Sequence, residues 1–189
     1  MSYDNKKIVF GIERLSTVFR AALWGEAKQY GLSPLQAQIL LFISSHAPAL
    51  SSVSSLAKEF AVTKATVSDA VRVLQEKKLL KKQPSADARI FSLPLTLSGK
   101  KHAQKLLAIT EYFDRVLVKV SAKDSKKIWE GLLLLIGHLQ KTDIIPLRMC
   151  FSCQHYASNK GTHYCHLLKQ PLGLKDIRLD CPEHSDLVT

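Results

Sequence analysis

Thr63–Leu80 reads TKATVSDAVRVLQEKKLL. Thr63 is a helix cap by type, because its hydroxyl can accept one of the unpaired amides of a first turn. Val67, Ala70, Val71 and Leu74 then recur at i, i+3, i+4 and i+7, giving one apolar stripe on a helix through Lys77. Just upstream, Ser51 or Ser52 caps a shorter helix to about Phe60, with Val53, Leu56, Ala57 and Phe60 inward. Only Ala61-Val62 lies between them. Two short helices with so brief a connection make a helix-turn-helix.

Outward from this pair, apolar spacing predicts a helix over residues 6–30, stopped by Gly31, and a buried helix from Leu35 to Ser44 opened by Ser33-Pro34. His46, Ala47 and Pro48 break the second helix. Downstream, extended runs Leu79–Gln83 and Arg89–Leu93 flank Pro84-Ser85-Ala86-Asp87, which predicts a hairpin with a polar tip. Thr96 opens a long helix to about Val120, and Ser121 or Ser125 caps a last one to about Lys141. The expected fold class is mainly α with a small β-hairpin wing: a winged helix-turn-helix with long dimerisation helices and a short C-terminal four-cysteine module. The division falls at residues 1–145 and 146–189, with a DNA-binding core about 33–98.

The charge points to a polyanionic partner. Of the 189 residues, 27 are Lys or Arg and 16 are Asp or Glu, a formal +11. Between Lys58 and Lys105 eleven basic residues face four acidic ones, so +7 of the total lies there, whereas the segment from Pro146 carries only +1. Clustered cations gain affinity for phosphates by releasing counterions. No cleavable apolar leader follows Met1–Lys7, and no apolar run is longer than Leu132–Ile136, which is too short for a bilayer. The expectation is a cytoplasmic protein without membrane partners, in a compartment that keeps thiols reduced.

Thr63–Leu80, Asp87-Ala-Arg89 and Leu95-Thr96-x-x-Gly99-Lys100 together resemble the MarR family of winged-helix repressors, over about residues 6–143. Lys78 departs from the pattern, standing where a glycine usually ends the recognition helix. The resemblance implies a homodimer on a palindromic double-stranded DNA operator. The apolar excess of the first helix and the last two agrees with a two-fold dimer, whose half-sites lie about one DNA turn apart. With the apolar stripe inward, Thr63, Lys64, Ala65, Thr66, Ser68, Asp69 and Arg72 remain to meet the major groove and its phosphates. Arg89 on the wing suits a minor groove with Asp87 holding it, while Lys81 and Lys82 would track the backbone.

The four cysteines lie in the last quarter, as Cys150-x2-Cys153-x11-Cys165-x15-Cys181. Four thiolates close a tetrahedral zinc site or hold one iron–sulfur cluster. The surrounding segment reads as too short and polar to fold on its own apolar core, so a metal centre is the expected staple. Zinc ribbons present two close pairs; here Cys165 and Cys181 arrive singly, and Pro182 follows Cys181 as in ferredoxin-type ligation. Those features favour a [4Fe–4S] cluster slightly over Zn(II). His155, His163, His166 and His184 are further ligand candidates, each more simply a surface residue; His46, His102 and His138 read as ordinary helix or loop histidines.

Two other readings stay open. One is a MarR-type repressor answering to a small-molecule effector, its cysteines a structural zinc clip. The other is a thiol–disulfide oxidoreductase using Cys150-Phe-Ser-Cys153, which lacks the α/β setting that lowers a thiol pKa at a helix N-terminus. A non-enzymatic regulator is the expectation.

Overall fold

The computed structural model describes residues 4–84, 91–142, 144–159 and 161–186. Helix α1 (Asn5–Gln29) begins where the Asp4 carboxylate accepts the Lys6 amide and ends at Gly31, whose φ of +61° turns the chain. Helix α2 (Pro34–Ser45) opens with reciprocal bonds: Gln36 N–H to Ser33 Oγ and Ser33 N–H to Gln36 Oε1. Its Ala37, Ile39, Leu40 and Phe42 are buried. A 3₁₀ turn (Pro48–Leu50) leads to α3 (Val53–Glu59), capped by Ser52, and α4 (Lys64–Glu76), capped by Thr63. Val67, Ala70, Val71 and Leu74 face one core with Leu56, Leu106 and α2, so the periodicity located the inner stripe correctly.

Among the described residues the paired part of the wing is short. Strands β1 (Gln83–Pro84) and β2 (Phe91–Ser92) pair antiparallel, with an outlying bridge between Leu80 and Leu95. Asp87 and Arg89 lie outside the described residues. The single long helix expected after Thr96 is two, α5 (Leu97–Leu106) and α6 (Ala108–Leu117), parted at Leu107. The Leu107 carbonyl accepts both the Thr110 hydroxyl (2.6 Å) and the Thr110 amide (2.9 Å), a three-residue closure that tightens the chain there. Helix α7 (Ala122–Leu139) follows the Ser121 cap.

Beyond α7 the cysteine segment is better built than its composition suggested. Strands β3 (Tyr156–Asn159), β4 (Thr162–Cys165) and β5 (Gln170–Leu172) form an antiparallel sheet in the order β3-β4-β5. Its Met149, Leu172 and Ile177 close a second small core with Leu133 of α7, flanked by Trp129 and Ile136. The segment thus has a small apolar core that it completes with α7, a contribution the composition of the segment did not reveal. Trp129 pins the edge by donating its indole N–H to the Leu174 carbonyl at 2.7 Å.

Two backbone positions test this account. The start of α5 is pressed on the end of the α4 turn: the Thr96 amide donates to Leu79 O, and its hydroxyl to Lys78 O at 2.7 Å. A Cβ at Gly99 would stand 2.1 Å from Leu79 O, so Gly99→Ala should lower unfolding stability by about 1–3 kcal/mol in denaturant titration. Lys78 occupies the left-handed region at φ +57°, closing α4 with Leu79 N–H on Leu74 O. Lys78→Gly should therefore stabilise the protein by about 0.5–1 kcal/mol in the same titration.

Candidate nucleic-acid interface and cysteine cavity

The exposed side of α4 carries the residues expected there. Thr63, Lys64, Ala65, Thr66, Ser68, Asp69 and Arg72 are all solvent-facing, and Lys81 and Lys82 are exposed on the run into β1. The Thr63 hydroxyl is committed to the cap, accepting the Thr66 amide at 3.1 Å. Arg72 is not free. Its guanidinium lies 3.2 Å from Glu76 Oε1 and 3.6 Å from Asp69 Oδ1, both on its own helix. Lys82 Nζ stands 4.0 Å over the Phe91 ring, which fixes one cation at the root of the wing. A groove between α3, α4 and β2 is lined by Ser52, Ser54, Ser68, Gln75, Lys82 and Phe91. Ser54 and Gln75 were not anticipated; both are polar positions beside an apolar stripe, a signal too common to single them out.

All four cysteines line one cavity, although the chain brings them from three places. Cys150 opens a 3₁₀ turn (Cys150–Ser152) that Cys153 follows, Cys165 ends β4, and Cys181 comes from the stretch after the sheet. Two stretches are cross-bonded: Cys150 N–H donates to Arg178 O at 3.0 Å, and Cys181 N–H to Arg148 O at 2.8 Å. The Arg178 amide also donates to Cys150 Sγ at 3.2 Å, the kind of N–H to sulfur bond that supports a ligating thiolate. Leu167, Leu168, Leu172 and Tyr156 give the cavity apolar walls. Among the described residues no three His, Cys, Asp or Glu side chains form a group placed to hold a metal ion. Burial, then the neighbouring cysteines, pushes the Cys150 thiol up, against the lowered pKa that a nucleophilic Cys-x-x-Cys requires.

Of the four candidate histidines, only His155 lines the cavity. His163 Nδ1 pairs with the Tyr156 hydroxyl at 2.6 Å, His166 packs edge-on to Tyr164, and His184 Nε2 pairs with Ser152 Oγ at 2.9 Å.

A group that sequence did not single out joins the two cores. Arg148, only 8% exposed, donates from Nε to Asp180 Oδ1 and from Nη2 to Glu59 Oε2, each at 2.8 Å. Burial opposes its charge, but these two hydrogen bonds prevail and raise its pKa. Burial would raise Asp180 as well; its bonds to His46 and Arg148 hold it below the usual carboxylate range. His46 Nε2 lies 2.9 Å from Asp180 Oδ2; burial would lower the His46 pKa, but this contact and the Phe42 carbonyl raise it. His46 is thus not an ordinary loop histidine. It carries no spacing signal, because its partner is 134 residues away in the chain.

Residues 30–89 match the family model described as MarR family. No curated protein matches the chain. Among solved structures, it is similar to the transcriptional regulator Tm0710 from Thermotoga maritima, at 21% identity and a TM-score of 0.54, over 72% of this chain and 96% of that one. It is also similar to MepR, a transcription regulator of the Staphylococcus aureus multidrug efflux pump MepA (22%, TM-score 0.57, 74% and 100%). The S. aureus MepR–DNA complex is similar at 21% and 0.58, over 74% and 99%. The fold is a MarR-like winged helix-turn-helix. About a quarter of this chain has no counterpart in those structures. No described helix is long and apolar enough to cross a membrane.

Proposed function

We propose that this chain is a dimeric, DNA-binding transcriptional regulator of the MarR type, whose hold on its operator depends on a metal centre carried by Cys150, Cys153, Cys165 and Cys181. The observation that carries the DNA reading is the exposed N-terminal half of α4 beside a basic wing root, on a fold also seen in a MepR–DNA complex. A helix so presented reads base edges through its first turns. Arg72 must exchange Asp69 and Glu76 for a base or a phosphate, so recognition here includes a rearrangement of charge on the helix surface. A homodimer fits the apolar residues left open on the outer helices: Phe10 (69% exposed) and Leu15 (67%) on α1, and Leu134 (66%) on α7.

The metal reading rests on four sulfurs round one cavity and on the N–H that Arg178 directs at Cys150. A lone zinc ion, with bonds of ~2.3 Å, would draw its four sulfurs to about 3.8 Å of one another. A cluster interposes iron between each ligand and the centre, so its ligands stand farther apart. The preference for a [4Fe–4S] cluster rests on the sequence, in which Cys165 and Cys181 arrive singly and Pro182 follows Cys181. Such a cluster supplies redox chemistry and a bond set that oxidation can dismantle. The chain's own part is to hold the thiolates, wall the cavity with the buried Leu172, and direct an amide at sulfur.

Protein purified without oxygen should be brown, with about four irons and four sulfides per chain. A colourless protein holding one zinc would replace the cluster by a structural clip, and metal-free protein with normal operator binding would end the metal reading. Arg72→Ala should weaken specific binding by about 1–3 kcal/mol in fluorescence-anisotropy titrations if Arg72 reads a base. An equal loss on every sequence would reduce it to a phosphate contact.

A further inference from the structure

We propose that Arg148 couples the cysteine cavity to the helix-turn-helix, so that emptying the cavity loosens the turn between α3 and α4. This rests on the reading that the four cysteines hold a metal centre. Arg148 stands two residues before Cys150, and Asp180 immediately before Cys181. The two stretches that present those sulfurs are also the two that are cross-bonded to each other. Whatever orders Cys150 and Cys181 therefore also sets where Arg148 and Asp180 point.

From Arg148 the path runs into the winged domain through direct contacts. Its Nη2 donates at 2.8 Å to Glu59, the last residue of α3, whose side chain is 13% exposed. Its guanidinium lies 5.1 Å over the ring of Phe42. Phe42 stacks on His46 at 4.0 Å and meets Phe60 edge-on at 5.9 Å, Phe60 being the first residue of the turn. That turn is tight. Phe60 N–H donates to Leu56 O, Val62 N–H to Ala57 O, and Ala61 sits at φ +50°.

If the stretches 148–150 and 178–181 lose their order, Glu59 remains half-buried with its cation withdrawn. A carboxylate in that state is driven toward water, and it takes the last turn of α3 with it. The module reaches α7 as well, through Leu133 and Trp129. Those contacts are apolar or at the margin, whereas the charged bridge ends on the helix-turn-helix itself. Glu59 is a positioning residue here, with no contact to metal or DNA required of it.

The test compares amide hydrogen exchange at Leu56, Phe60 and Val62 in the full-length protein as purified without oxygen and after its metal is stripped by a chelator, with metal content measured in both samples. In the unmodified protein, stripping should speed exchange at these amides by about tenfold or more. Glu59→Gln should keep its metal and its folded winged domain, yet show the same exchange rates in both states, and its operator affinity should no longer respond to stripping. A merely structural role for Glu59 would speed exchange in both states and leave the difference between them. If Glu59→Gln does not fold, Glu59→Leu with Arg148→Met replaces the pair by apolar groups and should give the same loss of response. Equal responses in variant and unmodified protein would overturn the coupling, as would an unmodified protein whose exchange ignores stripping. Protein that never contained metal would overturn the metal reading and this inference together, and the metal assay tells that case from the other two.

Discussion

A single guanidinium has to be satisfied at the seam between the two cores of this molecule. Arg148 is charged and nearly inaccessible, and among the described residues its ion pairs are with Glu59 and Asp180. A buried charge that loses a partner costs about 3–5 kcal/mol, far more than an exposed ion pair contributes. The requirement therefore fixes the docking of the cysteine module on the winged domain more tightly than apolar contact would. Packing between the module and α7 tolerates small slides; two 2.8 Å hydrogen bonds from one planar group to carboxylates on different parts of the fold do not.

The parts of the fold legible in the sequence are those set by local chemistry. Ser33, Thr63 and Thr96 cap helices where expected, and of the pairs Ser51 or Ser52 and Ser121 or Ser125 the caps are Ser52 and Ser121, because a cap needs only a hydroxyl and the amide two or three residues on. The inner stripe of α4 follows from spacing alone. Lys78 is instructive: the departure from the glycine pattern did not abolish the turn, and the chain accepts lysine in a left-handed conformation because Leu79 and Thr96 hold both sides of it. What stayed illegible depends on distant partners. The break at Leu107 comes from a hydroxyl three residues on, in a stretch whose apolar periodicity continues unbroken. The sheet β3-β4-β5 lies in a polar segment, part of whose core is supplied by α7.

The candidate sites divide the same way. Four cysteines could be matched to one another by type, since a thiolate centre needs that residue and no other at four positions, and they do line one cavity. The group His46, Glu59, Arg148 and Asp180 could not. Each is a common surface residue, and the sequence separations among them are long. Only burial turns them into a constraint, and burial is a property of the finished fold.

This arrangement has a consequence for how a small module can govern a larger domain. The module's own core is slight: Met149, Leu172 and Ile177, with help from Leu133. A core of that size orders a few dozen residues only marginally, so an additional tie among the cysteines would shift its folding equilibrium strongly. The winged domain, by contrast, has a larger core to which the module contributes no residue. A link between such unequal partners must act without demanding that the larger one unfold. An apolar interface would transmit little, because its loss exposes surface gradually. A buried ion bridge changes abruptly, since one partner's departure leaves the other uncompensated. Because the far end of the bridge is the last residue of α3, the change is felt at the turn that aims α4.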